Sequence, residues 1–121
     1  MAIELWKLPV APTALVRSPH FAVLPKRKCE ISMEFESGSD VVRSKLLFDG
    51  VESFKCTYLT SCSAEMFNTA YGKLVRFGAT QWLTETQAAH RCGASTKLQH
   101  LMICFDDGPC YEFICLGFHV S

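Results

Sequence analysis

The chain has 121 residues, 49% of them apolar and 20% charged, and its twelve basic and twelve acidic side chains cancel. That balance fits one globular domain around one core and excludes disordered and fibrous classes. No apolar run approaches the roughly 20 residues of a membrane-spanning helix, and zero formal charge argues against nucleic acid as a partner.

The cancellation hides an asymmetry: residues 1–28 hold Lys7, Arg17, Lys26, Arg27 and Lys28 against Glu4 alone. The basic segment is expected to lie over the acidic remainder. Pro9, Pro12, Pro19 and Pro25 keep residues 1–27 from forming a long helix or a central strand. Residues 1–28 are therefore read as an N-terminal arm, with short edge pieces at Ile3 to Leu8 and Ala14 to Val16. Apolar residues on it, Trp6, Leu8 and Phe21 above all, are expected at a subunit interface. The folded domain is placed at residues 29–121.

From Cys29 to Phe35 apolar and polar residues alternate, the pattern of a strand with one wet face, and residues 36–40 read as a turn. Val41 to Phe48 and Val51 to Leu59 flank Asp49-Gly50, a dipeptide favoured in two-residue hairpin loops. That pairing sets Phe48 opposite Val51 and turns Lys45 and Arg43 toward Phe54 and Cys56. Ser63 should cap a helix over Ala64 to Tyr71 that ends at Gly72. Lys73 to Phe77 is a short strand or an irregular link. Thr80 should cap a second helix from Gln81 to about Arg91, with Gly93 just past its end, and Ala94 to Lys97 form a loop.

The remaining stretch, Leu98 to Val120, organises the fold. Two apolar runs, Leu101 to Phe105 and Tyr111 to Val120, enclose Asp106-Asp107-Gly108-Pro109 and predict a β-hairpin at the centre of an antiparallel sheet. Both strands are apolar on both faces, so a helix or a second sheet layer should cover each face.

Chemistry is harder to find. There is no phosphate-cradling glycine loop, no His-Glu-x-x-His, no nucleophile elbow and no Cys-x-x-Cys. The seven cysteines, Cys29, Cys56, Cys62, Cys92, Cys104, Cys110 and Cys115, are odd in number, and Glu4 and Lys7 interrupt any secretory signal. A cytoplasmic, reduced protein is expected, with most thiols acting as small buried hydrophobes. Asp106 and Asp107 are explained by turn chemistry and offer too few oxygens for a calcium ion. Cys62 precedes a predicted helix, and a nucleophilic role would need one of His20, His90, His100 or His119 beside it. With a three-residue hairpin loop Cys104 opposes Cys110, Met102 opposes Glu112, and His100 lies one diagonal step from Glu112; a four-residue loop would put His100 and Glu112 on opposite faces. His100, Met102, Cys104, Cys110 and Glu112 are thus the candidate ligand-binding set: an acid beside an imidazole in an apolar surround. No metal site and no cofactor are expected.

Leu47-Phe48-Asp49-Gly50-Val51 and the string from Phe105 to Cys115 resemble small, uncharacterised bacterial single-domain proteins carried on mobile gene cassettes, integron cassettes among them, and immunity-type proteins. The likeness covers residues 47–121. It implies a stand-alone cytoplasmic domain that works by binding.

The expectation is an α+β domain: a twisted antiparallel sheet of five to six strands with two helices packed on one face. Its function is expected to be non-enzymatic binding of a partner protein or small ligand on an apolar pocket or sheet face, as a homodimer. The alternative is a small enzyme using a Glu/His or Cys/His pair.

Overall fold

The computed structural model describes residues 2–90 and 96–121. Along them run β1 (Ala2–Lys7), β2 (His20–Leu24), β3 (Lys28–Ser37), β4 (Asp40–Asp49), β5 (Ser53–Thr57), α1 (Ala64–Ala70), β6 (Lys73–Phe77), α2 (Gln81–Ala89), β7 (Gln99–Cys104), β8 (Cys110–Cys115) and β9 (Gly117–Val120). Arg91, Gly93 and the first part of the expected loop at 94–97 lie outside the described residues.

The molecule is mostly antiparallel sheet with two helices, but the strands form two sheets where one was expected. One has the order β1-β6-β7-β8-β5 and the other β2-β3-β4-β9. They stack face to face around the core. Leu74, Leu101, Ile103, Tyr111, Phe113 and Cys115 of the five-stranded sheet, with Phe105 just past β7, meet Cys29, Ile31, Met33, Phe35, Leu46 and Phe48 of the other. Phe48 and Phe113 stack at the centre, with ring centroids 3.9 Å apart. The outer face of the five-stranded sheet carries both helices. Met66 and Phe67 of α1 pack over Val75, Met102, Cys104 and Cys110, and Trp82 of α2 stands edge-on to His100.

The hairpin expected around Asp49-Gly50 is not formed. β4 pairs with β3 on one side and β9 on the other, and β5 pairs with β8. The nine-pair ladder between β3 and β4, closed over Gly38-Ser39, turns Leu46 and Phe48 into the core. Residues 49–52 therefore carry the chain from one sheet to the other. Leu116 marks the return, and the two crossings touch: Leu116 N–H donates to the Asp49 carbonyl at 2.9 Å. Gly50 has φ +60°, and a Cβ there would fall 2.5 Å from Leu116 Cδ1, so the crossing needs glycine for space as well as conformation.

Residues 2–24 supply one edge strand to each sheet, which suits their prolines and basic charge. Leu8 is buried in the core and Trp6 packs against it. Phe21 stacks on Tyr111 at 5.1 Å and tilts against Phe54 at 5.2 Å. The three residues expected at a subunit interface each make contacts within the chain, Trp6 and Phe21 while only partly buried. The basic run forms the turn into β3, where Arg27 pairs with Glu52 and Lys28 with Asp49.

Candidate functional site

The outer face of the β7–β8 hairpin holds all five candidate ligand-binding residues. Gly108 N–H donates to the Phe105 carbonyl at 2.9 Å, which closes the loop over Asp106-Asp107-Gly108. Pairing across the two strands then sets Cys104 opposite Cys110 and Met102 opposite Glu112, and leaves His100 one diagonal step from Glu112. A period of two puts these side chains on one face, while Leu101, Ile103, Tyr111 and Phe113 take the other.

His100 is 6% exposed and has a partner at each ring nitrogen. Nε2 lies 3.0 Å from Glu112 Oε1, and Nδ1 lies 2.9 Å from Thr80 Oγ1. The same Thr80 oxygen accepts from Leu83 N–H at 3.2 Å, capping α2. One hydroxyl therefore starts the helix and anchors it to the sheet. Phe77 lies 4.7 Å from the His100 ring, and Trp82 closes the other side. Lys55, opposite Glu112 on β5, lays its ammonium 4.1 Å from the Trp82 ring centre.

Hydroxyl, imidazole and carboxylate thus form a connected row, but each is already bonded within the fold. Met102, Cys104 and Cys110 beside them are buried too. The row satisfies polar groups under α2, as buried polar groups require. A cleft of about 390 Å³ lies elsewhere, lined by Arg17, Pro19, His20, Met33 and Arg43 among others.

Sulfur supplies the second feature. Cys104 and Cys110, expected as free thiols, are joined in a disulfide with Cα atoms 4.1 Å apart. Cys62 sits between a helical turn at Leu59–Ser61 and α1. Its thiol donates to the Thr57 carbonyl at 3.3 Å, and its sulfur lies 3.4 Å from Cys110 Sγ. None of its hydrogen bonds is to a histidine, so the proposed Cys/His pair is not assembled among the described residues. Cys29 and Cys115 are buried single thiols. Burial pushes the Cys115 thiol up to about 12 and raises that of Cys29. Asp106 accepts from the Tyr71 hydroxyl, and that bond raises the phenol above its ordinary value. Among the described residues no group of three or more His, Cys, Asp or Glu is arranged to hold a metal ion.

The third feature escaped the sequence. β5 is an outer strand, paired only with β8. Beside it stand exposed Phe54, Tyr58 and Leu59, with Val23 of β2 across a shallow recess shared with Phe54. Reading Asp49-Gly50 as a hairpin gave this strand the wrong neighbour and left its free side unspecified; the only signal was the unbroken Phe54-Lys55-Cys56-Thr57-Tyr58-Leu59 run without proline or glycine.

No family model, no curated protein and no solved structure matches the chain.

Proposed function

We propose that this protein acts by binding, not catalysis, and that its contact surface is the β5 edge, which joins a second copy by antiparallel strand pairing. The observation that carries the reading is the unguarded state of that edge. Natural sheets blunt their edges with bulges, prolines, short strands or charge. β1 has a register shift between Glu4 and Trp6, β2 is flanked by Pro19 and Pro25, and β9 is only four residues long. β5, five residues long, has neither bulge nor proline. Its one charged residue, Lys55, is held over Trp82 and so is drawn away from the edge. Phe54, Tyr58 and Leu59 add the apolar and aromatic contacts that interfaces favour. Isologous pairing of β5 with its own copy would extend two five-stranded sheets into one.

Gel filtration with light scattering tests this. At micromolar concentration the chain should run at twice its monomer mass, and Phe54→Lys should run as a folded monomer. A monomeric parent protein, or a Phe54→Lys variant that stays dimeric, would remove the β5 edge from the account.

A further inference from the structure

We propose that Cys62, Cys104 and Cys110 form a thiol–disulfide exchange site, in which Cys62 passes oxidising equivalents between a low-molecular-weight monothiol/disulfide couple and the buried Cys104–Cys110 pair. Three observations lead there. Cys104 and Cys110 are both fully buried, covered by α1, so a thiol from solution has no direct approach to their bond. Cys62 is partly exposed, and its sulfur is already 3.4 Å from Cys110 Sγ. Closing that gap to a covalent bond of about 2.05 Å asks for a shift of roughly 1.4 Å, and Cys62 lies in a link outside any strand or α-helix, where such a shift breaks no ladder. Finally, the disulfide joins residues only six apart in sequence, across a hairpin whose strands are paired along their whole length. So short a loop constrains the unfolded chain less than a longer one would, and the ladder already holds the two residues together in the folded state.

The steps balance. Cys62 loses its proton to solvent, and its thiolate attacks Cys110 Sγ. The Cys62–Cys110 bond forms as the Cys104–Cys110 bond breaks, and Cys104 leaves as a thiolate that takes up a proton. The Met66 carbonyl, 3.5 Å from Cys104 Sγ, is placed to accept a hydrogen bond from the resulting thiol. A small thiolate then attacks Cys62 Sγ, freeing Cys110 and leaving a mixed disulfide on Cys62. A second small thiolate removes it as the symmetrical disulfide. Overall one protein disulfide and two small thiols become two protein thiols and one small disulfide, and the reverse sequence oxidises the pair.

The test uses the intact folded chain with reduced or oxidised glutathione, acid quenching, alkylation and peptide mass mapping. Cys62→Ser should slow opening and closing of the Cys104–Cys110 bond by about tenfold or more, because the Cys62 thiolate is the only nucleophile in the scheme that reaches the buried bond. Cys56→Ser, which alters an exposed thiol outside the trio, should leave both rates unchanged. Cys104→Ser, confirmed as folded by circular dichroism, should accumulate a Cys62–Cys110 cross-link under oxidised glutathione. Parent-like rates in Cys62→Ser, equal slowing in Cys56→Ser, or absence of the Cys62–Cys110 peptide would each overturn the proposal.

Discussion

The two faces of the β7–β8 hairpin are closed by different means. On the inner face Leu101, Ile103, Phe105, Tyr111 and Phe113 meet a second sheet, and that packing is almost wholly apolar and aromatic. On the outer face two short helices do the covering. α1 buries only Ala70 completely, and α2 has no fully buried residue. A thin cover leaves room for groups a dense core would exclude: the Thr80–His100–Glu112 row and the three sulfurs near Cys62. The fold therefore keeps its stability on one side of a single hairpin and its polar and reactive groups on the other.

The largest effect should come from the inner face. Phe113→Ala removes a fully buried ring stacked on Phe48 and should destabilise by about 3–5 kcal/mol in urea titration. A loss below that of ordinary surface substitutions would mean that the sheet-on-sheet core is not the main support.

Next in size is the outer row. Glu112→Ala leaves His100 Nε2 buried without its partner and should cost about 1–3 kcal/mol. Replacing both with apolar residues, His100→Leu with Glu112→Leu, should recover much of that loss, since imidazole and carboxylate leave together and Thr80 Oγ1 still accepts from Leu83 N–H. If the double variant is no better than the single one, the row does more than satisfy its own hydrogen bonds.

The smallest effect separates the faces by pH. Tyr111 and Cys115 face the inner core, and burial pushes both groups up to about 12 from ordinary values of 10.0 and 9.0. Their ionised forms are easier to make in the unfolded chain, so the unfolded state binds fewer protons above pH 9 and stability falls as pH rises from there toward 12. For Cys115 the loss should reach roughly 1 kcal/mol by pH 10. Cys115→Val should flatten the decline between pH 8 and 10, and an unchanged slope would remove the buried thiol as its cause.

What could be read from the residues follows from range. Ser63 and Thr80 cap helices through bonds three residues away, so α1 and the start of α2 were legible; the register linking His100 to Glu112 followed only for a three-residue loop, and the turn residues fit three or four. The prolines of the first 27 residues rightly exclude central strands, and β1 is an edge near the expected Ile3 to Leu8 piece; the second edge strand is His20–Leu24, whereas Ala14 to Val16 forms only a single bridge from Leu15 to Phe35. Asp49-Gly50 marks a reversal but carries no information about which strands compete for β4. β3 and β9 occupy both its sides, and only that long-range outcome makes β5 an edge. The opposition of Cys104 and Cys110 was likewise visible, whereas their bond depends on redox conditions that residue order does not encode.

The central claim is that β5 is a pairing edge, and hydrogen exchange at two protein concentrations tests it most directly. The outward amides of residues 53–57 should be protected at high concentration and exchange rapidly on dilution, while those of β7 and β8 stay protected throughout. Fast exchange along 53–57 at every concentration, or concentration-dependent protection at β1, β2 or β9 instead, would contradict it.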